Sequence, residues 1–101
     1  MNAKTHVKLV GPLIRGVDAD LAEAVIAAIE VDNPGAEVVV DDAGGYVRVN
    51  IAGRCVLTRA SLAKELGRDF ELSQLEPALS GFAGRMKIGD GEIVWYLERE
   101  S

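Results

Sequence analysis

The chain has 101 residues, a hydrophobic fraction of 49% and a formal charge of −5. This is the size of one domain with one core, and Val, Ile and Leu recur too evenly for disorder. The acidic balance argues against a nucleic-acid backbone or an anionic membrane as partner, since either needs a clustered basic face, whereas a protein partner with a Lys- and Arg-bearing dock would suit it.

The elements follow in chain order. Val7 to Val10 alternates apolar and polar residues, the period of a half-buried strand, and Gly11-Pro12 is expected to break it. Leu13 to Gly16 then reads as a connector. Asp18 to Glu30 reads as a helix, capped by Asp18 or Asp20, with Asp20 and Glu23 at capping-box spacing. Leu21, Val25, Ala28 and Ile29 share one face of it. Asp32-Asn33-Pro34-Gly35 is a strong stop.

Three strands are expected next: Glu37–Asp41, Tyr46–Ile51 and Arg54–Leu57. Their connections are too short for parallel crossovers, so an antiparallel meander is predicted. In the middle strand Val47, Val49 and Ile51 face one side, with Tyr46, Arg48 and Asn50 on the other. Thr58 is a good N-cap for a second helix to Leu66, closed by Gly67. Ser73 and Glu76 suggest a capping box for a third short helix across Leu75 and Leu79. Gly81-Phe82-Ala83-Gly84 reads as a small-residue loop, with Phe82 either plugged into the core or presented to a partner. Arg85–Ile88, a Gly89-Asp90-Gly91 turn and Glu92–Leu97 make a final hairpin. The order β-α-β-β-β-α-α-β-β specifies an α+β domain spanning residues 1–101, with residues 1–6 and 98–101 expected to be mobile ends.

Catalytic equipment is sparse. The single histidine, His6, and the single cysteine, Cys55, are far apart in sequence. Cys55 shares a strand face with Leu57 and reads as a small buried hydrophobe. Asp41-Asp42 stands before glycines, where Asp serves turns. No phosphate-cradling glycine motif is present. The expectation is a domain with no catalytic residues, no cofactor and no metal, which works by binding. One cysteine rules out an intrachain disulfide, and no signal or membrane-spanning stretch is apparent, so a cytoplasmic protein is expected.

Several motifs recur in a familiar order: Gly11-Pro12-Leu13-Ile14-Arg15, Asp32-Asn33-Pro34-Gly35, Tyr46-Val47-Arg48-Val49, Leu57-Thr58-Arg59, Leu66-Gly67-Arg68 and Phe82-Ala83-Gly84. Together they resemble the effector, or coupling, proteins of bacterial multicomponent diiron monooxygenases, most closely those of toluene monooxygenases. The resemblance covers about Gly11 to Leu97. It implies a cofactorless protein, monomeric when free, that docks on the diiron hydroxylase and tunes turnover, coupling and regiospecificity. The docking side is expected on the first helix and its flanks, with Arg15, Asp18, Asn33, Arg68 and Phe82 as partner-binding residues. Two other readings stand beside it: a metabolite-sensing regulatory domain of the amino-acid-binding type, and a small enzyme using Cys55.

Overall fold

The computed structural model describes residues 8–16, 19–42 and 44–97. Strand β1 is Leu9–Arg15, helix α1 Ala19–Asp32, β2 Val39–Asp42, β3 Tyr46–Ala52, β4 Arg54–Thr58 and helix α2 Arg59–Leu66. Two 3-10 turns, Leu72–Gln74 and Glu76–Ala78, lead into β5 Leu79–Ala83, β6 Arg85–Ile88 and β7 Glu92–Tyr96. The strands form two antiparallel sheets, ordered β2-β3-β1-β5 and β4-β7-β6. The α+β class holds. His6, Val7 and Asp18 lie outside the described residues, as do residues 98–101.

The core fills the space between α1, α2 and the inner sheet faces. Val10 and Ile14 of β1 and Val47, Val49 and Ile51 of β3 meet Leu21, Val25, Ala28 and Ile29 of α1 there. Cys55 and Leu57 of β4 join Leu62, Leu75, Ile93 and Trp95 in the same cluster. The members from α1, β3 and β4 are those whose 3.6- and 2-residue periods marked them in the sequence; Val10 and Ile14 were not marked, and Leu9, on the expected apolar register of the first strand, is exposed.

Four expectations are corrected. First, Gly11-Pro12 does not end β1. Gly11 has φ +147°, and a Cβ there would stand 2.0 Å from the Val49 carbonyl oxygen, so only glycine permits this approach of two backbones. The β1–β3 pairing passes from Val10↔Ile51 to Leu13↔Arg48, so the missing N–H of Pro12 falls where the ladder is already interrupted. Second, the three middle strands are not a meander. The longer β1 occupies the edge of β3 that β4 would have used, and β4 pairs with β7 instead.

Third, Asp20 lies inside the first turn of α1 rather than capping it, where its charge still favours the helix N-terminus. Fourth, the segment after Phe70 makes two 3-10 turns, not an α-helix on a Ser73 cap. There the Glu71 N–H donates to Gln74 Oε1 at 2.9 Å, and Pro77 sits in the first residues of the second turn. The stretch to Ala83 then adds β5 to the edge of β1, where a loop was expected. Thr58 and Gly67 cap α2 as anticipated: the Ser61 N–H donates to Thr58 Oγ1, and Gly67 is left-handed at φ 75°.

Candidate functional site

The residue types that carry chemistry are held in structural roles. Cys55 is fully buried, and its thiol is pushed up to about 12 by burial and by the nearby Asp32 carboxylate. A thiol so protonated is no nucleophile. Asp41 pairs with Arg48 at 3.9 Å, both exposed, and strand alternation sends Asp42 to the opposite face. Among the described residues, no three His, Cys, Asp or Glu side chains converge as metal ligands. No helix of the described residues is long and apolar enough to cross a membrane.

Asp32 and Asn33 instead build a polar seam where α1 ends against β4 and α2. The Thr58 N–H donates to Asp32 Oδ2 at 2.7 Å, and Ser61 Oγ donates to Asp32 Oδ1 at 2.6 Å. Thr58 Oγ1 lies 3.1 Å from both carboxylate oxygens. Asn33 Nδ2 donates to the Ile29 and Val56 carbonyls at 2.7 and 2.8 Å, while the Val56 N–H donates to Asn33 Oδ1 at 3.0 Å. This amide completes the helix end and grips β4 at once.

The sequence-marked contact residues do not form one cluster. Asn33 is committed to the seam. Arg68 is exposed beyond the end of α2, its guanidinium 5.4 Å from the Phe70 ring centroid, at the rim of an α1–α2 groove that also holds Asp20, Glu23 and Glu65. Asp18 lies outside the described residues. Arg15 and Phe82 belong to the four-stranded sheet.

The side of that sheet turned away from the core carries part of the apolar exposure, with Val31, Val40 and Ile88 exposed elsewhere. The β1–β3 register sets Leu9 opposite Ala52, Leu13 opposite Arg48 and Arg15 opposite Tyr46, all on this outer face. Val39 of β2 lies on it opposite Asn50. Tyr46 is 45% exposed and Leu9 39%. Phe82 is 43% exposed, not plugged into the core, and bounds a shallow hollow with Leu13, Arg48 and Ala83. A rigid aromatic and aliphatic surface rimmed by Arg15 and Arg48 has the composition of a protein contact. Tyr46 and Leu13 were not singled out from the sequence. The available signal was an aromatic on the polar register of an alternating strand. By contrast the exposed side of α1 carries Asp20, Glu23 and Glu30, with Val31 its one exposed large apolar residue.

A model of the MmoB/DmpM family matches residues 8–96. The chain is 51% identical over 90 residues to the effector subunit of the alkene monooxygenase system of Xanthobacter autotrophicus, a match covering 89% of this chain and 87% of that protein. Among solved structures, a chain of a phenol hydroxylase–regulatory protein complex superposes with a TM-score of 0.74 at 22% identity, covering 90% of this chain and 100% of that one. A second structure of such a complex gives 0.67 at 26% identity, covering 88% and 99%. The soluble methane monooxygenase regulatory protein B gives 0.65 at 20% identity, covering 96% and 71%.

Proposed function

The chain belongs to the MmoB/DmpM family, the effectors of multicomponent monooxygenases, and from that premise we propose that it docks on the hydroxylase component through the outer face of its four-stranded sheet. The observation that carries this reading is the exposed Tyr46 and Leu9 and the half-buried Leu13 on one sheet face, with the exposed Phe82 bordering the same hollow as Leu13. Arg15 borders the face and can meet a carboxylate on the partner, while Arg48 there is already paired with Asp41. Solved relatives of this fold come from hydroxylase–regulatory protein complexes, which supports the same partner. The acidic helix side, first expected as the dock, offers little apolar area.

The physical action is a population shift. Docking favours whichever hydroxylase state the sheet face fits better, and the difference in affinity between states sets the change in turnover and coupling. A domain of this size can supply the roughly 800 Å² per partner of a standard interface. Catalysis, oxygen activation and substrate binding then belong to the hydroxylase. Its substrate is a small unsaturated hydrocarbon: the motifs resemble the toluene branch, while the 51%-identical relative serves an alkene system. By fixing one hydroxylase geometry, docking also tunes regiospecificity.

The test is steady-state hydroxylation with purified hydroxylase, ferredoxin and reductase, with and without this chain, on toluene and on a short alkene. A rise in rate and in product per electron is expected, together with a changed product distribution. Unchanged rate, coupling and distribution on both substrates would overturn the reading.

A further inference from the structure

The three-stranded sheet has an outer face of different character. Cys55, Leu57, Ile93 and Trp95 point into the core, so the alternate residues of β4, β6 and β7 point out. Register lines them up in rows: Arg54 beside Tyr96 beside Arg85, Val56 beside Val94 beside Lys87, and Thr58 beside Glu92. Arg54, Lys87, Glu92, Val94 and Tyr96 border one shallow hollow. Among the described residues the face therefore carries Arg54, Arg85 and Lys87 beside one acid, Glu92, although the whole chain carries −5. Neither Arg54 nor Lys87 forms an ion pair among the described residues.

Asp20, Glu23 and Glu30 stand on the exposed side of α1, whereas Arg54, Arg85 and Lys87 stand around Tyr96 and Val94. Salt screens charges beyond about 8 Å at physiological ionic strength. A partner at contact therefore senses this cationic face rather than the net charge. Arginine forks pair with carboxylates, and a tyrosine at the centre adds a rigid aromatic contact. The two outer faces also follow one another along the chain. Strand β5 passes into β6 through Gly84 alone, so Phe82 of the first face and Arg85 of the second are three positions apart.

We infer that this cationic face is a second contact with the hydroxylase, engaging a carboxylate-bearing segment of its surface beside the apolar dock. The inference rests on the effector reading above. Its role is to steer encounter and fix the docked orientation, as charges at an interface rim do.

The experiment measures association and dissociation rates with the purified cognate hydroxylase, for wild type and for the double variant Arg54→Glu/Lys87→Glu, at low and at high salt. The association rate is expected to fall about tenfold at low salt, with dissociation little changed and the difference closing at high salt. The milder pair Arg54→Gln/Lys87→Gln should fall in between, and it serves as the test if the reversed pair fails to fold. If wild type binds and the variants associate at its rate at low salt, this inference is overturned while the effector reading stands. If wild type does not bind at all, the effector reading falls and takes this inference with it.

Discussion

At the scale of single residues, the groups with chemical potential turn out to hold the fold. The sequence marked Cys55 as a buried hydrophobe from its strand partner Leu57, and the position agrees. The shift of its thiol from an ordinary 9.0 to about 12 has a consequence for stability. The unfolded chain releases this proton above pH 9, whereas the native protein keeps it until about 12. The stability tied to the thiol is therefore fully present below pH 9 and is lost as pH rises from 9 toward 12. Cys55→Ala is expected to cost about 1 kcal/mol at neutral pH and to show a shallower loss than wild type across the alkaline range, read by urea unfolding. Asp32 was legible only as part of a stop signal. Its partners Thr58 and Ser61 lie 26 and 29 residues away, and no local pattern announces such a bond. Asp32→Ala leaves those donors without their acceptor and should destabilise by about 2–3 kcal/mol in the same assay. A full loss of less than about 0.5 kcal/mol would mean that water replaces the carboxylate.

At the scale of elements, strong periodicity was legible and interrupted periodicity was not. The apolar spacing of α1, the alternation of β3 and the Thr58 and Gly67 caps of α2 all placed their elements within a residue or two. The failures share a cause: small residues and proline carry a local turn signal that a neighbouring backbone can override. Gly11-Pro12 stays extended because β3 and β5 flank it on both sides. Residues 79–83 become a strand because β1 offers a free edge. Gly84 then breaks the path between the two sheets. Its φ is +89°, and a Cβ would stand 2.6 Å from Val10 Cγ1 and 2.8 Å from the Tyr96 carbonyl oxygen. Gly84→Ala should therefore cost about 2–4 kcal/mol in thermal or chemical unfolding. Gly35→Ala, with nothing within 4 Å of its Cβ, bears only the backbone penalty and should cost less.

At the scale of the molecule, the sequence offered Arg15 and Phe82 as contact residues, while Tyr46 and Leu13 come onto the proposed face only through strand pairing, which sequence order conceals. The resemblance supplied a partner class without a face, and the expected face was the helix. The two locations can be separated. Neutralising the acids of α1 with Asp20→Asn, Glu23→Gln and Glu30→Gln should leave the hydroxylase Kd within about twofold of wild type. Phe82→Ala should weaken it by about tenfold or more without lowering Tm, as loss of an exposed aromatic anchor does. The reverse pattern would move the dock to the helix.

The chain's single tryptophan gives this arrangement an optical readout. Trp95, next to last in β7, is wholly enclosed, and its indole Nε1 has no hydrogen-bond partner among the described residues. Its fluorescence should be that of an indole in a dry, apolar surrounding, and it should be deaf to whatever covers either outer sheet face. With a hydroxylase cleared of competing emission by substituting its own tryptophans or labelling this one selectively, that signal reports whether the effector's interior changes when the complex forms. A silent spectrum on binding would mark the effector as a rigid template that reshapes its partner. A shifted one would mean that the effector rearranges from within.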